Sequence, residues 1–226
     1  MTTDASYIAT NKRRKIYAII TVVYRGINRR QNMVKFHFAG RYNDDPESLI
    51  THPHEPDYVP FKEAENMNKL SIIMNILALV IGVITIAIYL IVARKPLEIW
   101  GWILFLVTMI PHEFLHALCF KGDVYMYENL RKGMLFVVGP GTFSKGEFVF
   151  MSLLPNIVFG FIPFLIFLID PSHTILGTLG AVAISAGAGD YYNVFNALTQ
   201  MPKGSRTYMH GTNSFWYMPA DSKKNG

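Results

Sequence analysis

The sequence predicts a mostly α-helical, polytopic membrane protein with about four transmembrane helices and a short β-hairpin between the second and third. Three observations predict it. Apolar residues make up 51% of the 226-residue chain and charged residues only 16%, against about 25% charged in soluble domains. Four apolar runs, 71–93, 99–120, 148–169 and 174–199, each reach the ~20 residues needed to cross the hydrocarbon core. Between the second and third, two β-favouring runs, Val124-Tyr125-Met126-Tyr127 and Met134–Val138, are punctuated by Gly122, Gly133, Gly139-Pro140-Gly141 and Gly146.

The elements follow in chain order. Residues 1–70 read as a cytoplasmic or membrane-surface region. The basic stretch 12–15 precedes the apolar stretch 16–24, which superficially looks like a signal peptide. The apolar run is only nine residues long, and Arg25, Arg29 and Arg30 follow it in place of a small-residue cleavage site. It reads as a basic amphipathic helix, either on an anionic lipid surface or packed on the protein. His52-Pro53-His54, in the Pro-rich stretch 46–60, reads as loop decoration. The four apolar runs and the hairpin region 121–147 make up a domain over 71–200, and 201–226 reads as a polar, partly disordered cytoplasmic tail.

Charge placement orients the runs. Nineteen Lys and Arg fall in 1–70, 121–147 and 200–226, and only two in 94–98. Both termini and the central connection are therefore expected in the cytoplasm of a multi-pass cell-membrane protein. The net charge of +5 is explained by this topology, with the lipid bilayer and no nucleic acid as partner. Cys119 is the only cysteine, so no intrachain disulfide forms and thiolate metal ligation is disfavoured.

Within the second apolar run stands His112-Glu113-Phe114-Leu115-His116. Histidines at i and i+4 share one helical face, so both imidazoles can reach one metal ion. Glu113 sits beside that ion, where a carboxylate can take a proton from a water held by it. With seven histidines in the chain, such a motif arises by chance roughly 1% of the time. Ionisable groups at bilayer depth cost at least ~2.5 kcal/mol each unless paired or hydrated, so three together need a reason. An interfacial cluster at a helix end is the plainer reading.

A catalytic zinc takes three protein ligands and an open position. Asp190, Asp123, Glu128, Glu147, Asp170 and His173 are the candidates for the third. Depth selects Asp190: at 1.5 Å per residue, His112 and Asp190 lie ~12 and ~13 Å below the same surface. The small residues of Ser185-Ala186-Gly187-Ala188-Gly189 let a short Asp side chain approach a neighbouring helix. Asn156, at similar depth in the third run, could polarise a scissile carbonyl, hold a substrate strand, donate to an oxyanion, or simply pack. Pro155 frees a backbone carbonyl and permits a kink. Asn193, one turn beyond Asp190, could orient its carboxylate. An exposed edge of the hairpin could take an extended substrate by strand addition.

This pattern resembles the site-2 protease type of intramembrane zinc metalloprotease. It is also similar to small bacterial membrane proteins classed as zincin peptidases. The resemblance covers about residues 65–200. It implies zinc bound by His112, His116 and Asp190, Glu113 as the base, and membrane proteins or peptides as substrates. The Pro155-Asn156 order and Tyr191 after Asp190 depart from the Asn-Pro and Asp-Gly pairs usual in site-2 proteases. The alternative reading is a non-catalytic membrane metal-binding scaffold, sensor or transporter. The outer half of the bundle has few polar residues to line a transport path.

Overall fold

The computed structural model describes residues 35–64, 67–129 and 134–220. The basic helix expected over 16–24 lies outside the described residues. The first two apolar runs are the helices α1 (Met67–Ala93) and α2 (Ile99–Leu118). The third run is continuous but not uniform: α3 (Lys145–Pro155), a π-helical turn over Asn156–Phe161, then α4 (Ile162–Ile169). Among the described residues three helical segments, Lys69–Ala93, Ile99–Leu118 and Lys145–Ile169, are long and apolar enough to cross a membrane. Their outward faces are apolar: Leu79, Ile91, Ile99, Leu106 and Ile169 are each more than 60% exposed.

The fourth run is not a fourth long span. It breaks at Gly187 into α5 (Thr174–Ala186) and α6 (Ala188–Gln200), thirteen residues each. Burial explains the difference. Helix α5 is enclosed by protein, with Gly177 against the Phe167 ring, Gly180 against the Phe164 backbone and Thr178 against Gly101. Ser185 and Thr85 tie α5 to α1 by donating to the Ala78 and Ala181 carbonyls at 2.8 and 3.0 Å. Small residues here bring helix backbones together rather than facing lipid. Helix α6 is polar, carrying Asp190, Asn193, Asn196, Thr199 and Gln200.

Two small sheets sit at one end of the helices. The first has the order β1 (Phe36–Arg41), β3 (Val124–Asn129), β4 (Met134–Val138). Strands β3 and β4 form the expected antiparallel hairpin, and β1 lies parallel to β3. The second sheet has the order β2 (Val59–Pro60), β7 (Asn213–Tyr217), β6 (Arg206–His210), β5 (Phe143–Ser144). Residues 206–217 are thus an ordered hairpin, not a tail. Gly211, at φ +56°, makes its turn. Tyr208 and Phe215 are buried in it, and His52 and His54 pack on Tyr208.

Two devices lock this end to the helices. Ser144 and Glu147 form a reciprocal capping box at the start of α3, worth about 1 kcal/mol. Glu147 also pairs with Lys121 just past α2, at 2.7 Å. Around them Phe120, Val124, Phe143, Phe148 and Met151 form one buried cluster with Ala197 of α6. Full burial contributes roughly 1.5–3 kcal/mol per large side chain. The end of α2, where the motif stands, is thereby fixed against α3 and α6.

Candidate metal centre

Helix α2 runs without interruption through Pro111, so His112 and His116 fall on one face. Their Nε2 atoms are 3.2 Å apart. Asp190, in the first turn of α6, brings Oδ2 within 3.4 Å of His112 Nε2 and Oδ1 within 3.3 Å of His116 Nε2. Glu113 offers a carboxylate oxygen within 4.8 Å of both histidines' ligand atoms. Of the two carboxylates, Asp190 is the one held directly between the imidazoles.

These separations test whether a metal fits. Donors at ~2.0–2.1 Å from a tetrahedral zinc stand ~3.3–3.4 Å from one another, by the geometry of a tetrahedron. The 3.2 Å between the two imidazole nitrogens is close to such an edge, and each imidazole has its own Asp190 oxygen at a comparable distance, Oδ1 at 3.3 Å from His116 and Oδ2 at 3.4 Å from His112. The protonation pattern fits too. His116 Nδ1 lies 2.9 Å from the Met151 carbonyl oxygen. A carbonyl only accepts, so Nδ1 carries the hydrogen and, in the neutral ring, the Nε2 lone pair faces the cluster.

The Met151 carbonyl is available for a definite reason. In an α-helix it would accept from the N–H four residues on, and that residue is Pro155, which has none. The next position repeats the device. Asn156 turns its backbone N–H to Leu153, while its side-chain Nδ2 donates to the Ser152 carbonyl at 3.2 Å and to Asp190 Oδ2 at 2.6 Å. Tyr191 donates its hydroxyl to Asn156 Oδ1 at 3.4 Å. Gly187 makes room: a Cβ there would overlap Asn156 Oδ1.

Asn156 is therefore buried, with both amide hydrogens used inside the protein. It does not line the cavity, so of the roles open to it from sequence, donation to a substrate oxyanion does not fit this geometry. It holds Asp190, a task the sequence left open to Asn193 beside simple packing; Asn193 lines the cavity. The other candidate ligands lie elsewhere. Asp123 pairs with His37 at 3.7 Å, Glu147 with Lys121, and Asp170 with His173 at 3.6 Å. Glu128 is in β3, within the first sheet.

The cluster opens into a cavity of about 400 Å³. Leu135, Phe136, Val137 and Val138 of β4 form one wall, and Tyr208, Met209, Thr212 and Ser214 of the β6–β7 hairpin another. The Val137 N–H points at the Glu113 carboxylate. It therefore points away from β3, and the same holds for the backbone of Leu135, two residues back. Strand β1 covers the far edge of the sheet, so β4 is its free edge among the described residues. Ser152 also lines the cavity; its hydroxyl is buried and has no hydrogen-bond partner among the described residues.

Residues 105–206 match the family model described as "Putative zincin peptidase". The matched stretch is a little under half of the chain. It contains both histidines, Glu113, the Pro155-Asn156 interruption, Gly187 and Asp190, and it ends in β6. The description implies zinc as the metal and peptide hydrolysis as the chemistry. No curated protein and no solved structure matches the chain. Sequence reasoning missed Ser152 and Glu63 at this site. Gly187 was read only as part of the small-residue stretch before Asp190, and the Met151 carbonyl only as a carbonyl that Pro155 frees.

Proposed function

We propose that the protein is an intramembrane zinc metallopeptidase of the site-2 protease kind, hydrolysing peptide bonds in membrane-associated proteins or peptides. The observation that carries the proposal is the convergence of His112, His116 and the Asp190 carboxylate, with Glu113 beside them, at a helix apolar enough to cross a membrane.

His112, His116 and Asp190 hold the metal. Zinc, when bound, supplies an acidified water and a Lewis acid for the scissile carbonyl. Glu113 takes a proton from the attacking water and returns it to the leaving amine. His116 is kept in register by the Met151 carbonyl and Asp190 by the Asn156 amide, so Asn156 is a positioning residue. The unpartnered Ser152 hydroxyl takes the part of oxyanion donor. The free edge of β4 pairs with an extended substrate through Leu135 and Val137 and sets its carbonyl beside Glu113. A helical substrate must unwind to do this, because its carbonyls are otherwise occupied. The Lys and Arg distribution supports a cytoplasmic location for the sheets and both termini.

Metal content of the detergent-purified full chain tests the site. About one zinc per chain, lost in His112→Ala and in Asp190→Ala, is expected. Wild type without metal after chelator-free purification overturns the reading. Loss in His112→Ala alone removes Asp190 from the ligand set.

A further inference from the structure

Glu63 stands on the short connection between β2 and α1 and lines the same cavity as His112, Glu113 and Asp190. It is half-buried, and among the described residues its hydrogen-bond donors come from Ser214 alone, the backbone N–H at 3.2 Å from Oε2 and the side-chain hydroxyl. A carboxylate has about four acceptor positions, so part of its capacity is unused, and neither donor carries a charge. Among the described residues no Lys or Arg lines the cavity and no cation pairs with Glu63. Its structural task, closing the Ser214 N–H where β2 ends, needs an oxygen but not a charge. A glutamine would serve as well. Burial pushes the Glu63 carboxyl above its usual range, as expected for a desolvated anion with no counter-charge. Of the three carboxylates lining this cavity, Glu113 and Asp190 belong to the metal cluster and Glu63 is left over.

We propose that Glu63 is a specificity-determining residue that binds a positively charged group of the peptide substrate, either a lysine or arginine side chain or a free α-amine. The inference rests on the peptidase reading of the cavity. Glu63 lines the cavity beside Ser214 of the β6–β7 hairpin, and β4 lines the same cavity. Binding there supplies the donors that Glu63 lacks, and charge-assisted hydrogen bonds are the stronger kind.

The test uses the full-length, zinc-loaded protein in lipid nanodiscs with a mixed peptide library read by mass spectrometry. Wild type should favour lysine or arginine over norleucine at one fixed position by about tenfold or more. In Glu63→Gln that ratio should fall to near one, and in Glu63→Lys it should turn toward aspartate and glutamate. A preference confined to the first residue and lost on acetylation identifies the α-amine; one that survives acetylation identifies the side chain. Cleavage with no cationic preference, or a preference retained in Glu63→Gln, overturns the proposal and leaves the peptidase reading standing. If wild type cleaves nothing, fluorescence anisotropy of the same peptides on Glu113→Gln protein decides. Tighter binding of lysine peptides, abolished by adding Glu63→Gln, upholds Glu63 while the peptidase reading fails; equal binding overturns Glu63 as well.

Discussion

Replacing Pro155 by alanine should separate metal affinity from fold stability. Alanine restores an N–H at 155, and the helical partner of that N–H is the Met151 carbonyl now bonded to His116 Nδ1 at 2.9 Å. The two donors then compete for one oxygen, and the imidazole loses the bond that fixes its tautomer and ring plane. Loss of such an outer partner typically lowers metal affinity ~10–100-fold, which is ~1.4–2.7 kcal/mol. The helix itself should gain, since proline in a helix interior is up to ~3 kcal/mol less favourable than alanine. Chelator competition should therefore show zinc affinity falling at least ~10-fold while thermal unfolding of the metal-free protein does not move down. NMR of nitrogen-labelled histidine gives a second readout, with the His116 Nδ1–H state clear in wild type and mixed in the variant. Zinc affinity within twofold of wild type, with the His116 tautomer unchanged, would refute the reasoning that Pro155 exposes the Met151 carbonyl for His116.

Four further outcomes are expected. Asn156→Ala removes the 2.6 Å bond to Asp190 and Gly187→Ala displaces the same amide, so each should weaken zinc binding by ~1.5–3 kcal/mol. The double variant should be little worse than either single one, and full additivity in the same chelator titration would show that the two act separately. Glu113→Gln should keep one zinc per chain and lose turnover by at least ~10²-fold; retained cleavage would remove Glu113 as the base. Val137→Pro deletes an N–H that faces Glu113 rather than β3, so fold and zinc content should survive while cleavage falls; unchanged cleavage would argue against strand pairing. Glu63 has a raised folded-state pKa, so its contribution to stability is full below its ordinary 4.5 and is lost as pH rises through the raised value. Glu63→Gln should accordingly melt like wild type below about pH 4.5 and increasingly above it at higher pH; a difference that does not vary with pH would contradict this.

The parts of the site carried by local geometry were legible in the sequence. His112, Glu113 and His116 need only one helix, and helical periodicity places them. Asp190 was reached by counting depth along a fourth span, although that span is broken at Gly187 and α6 is a separate helix. The break falls three residues before Asp190, so the depth estimate still brought it to the right level. Hydropathy could not tell α5 from a lipid-facing helix, because burial in protein and burial in lipid select similarly apolar residues. The 206–217 hairpin was hidden for another reason. Its partners, 59–60 and 143–144, are distant in sequence, and the Gly and Lys around it read as tail composition. Pro155 was legible as a helix interruption that frees a carbonyl. The acceptance of His116 by that carbonyl was not, since it depends on how α3 packs on α2.

The Pro155-Asn156 interruption and the proposed metal ligands explain each other. A free backbone carbonyl in apolar surroundings costs several kcal/mol unless something donates to it. The interruption withdraws the usual donors from Met151 and Ser152, and the replacements come from His116 and Asn156. His116 is thereby part of the hydrogen bonding of α3 as well as a proposed ligand. Asn156 meets the Ser152 carbonyl with one amide hydrogen and the Asp190 carboxylate with the other. A regular helix over 145–169 would satisfy its own carbonyls and leave both ligands without support. A regular helix over 174–200 with any side chain at 187 would close the space that Asn156 crosses. The two departures from helical regularity thus coincide with the two ligand supports, which is what a preorganised metal centre within an apolar bundle requires.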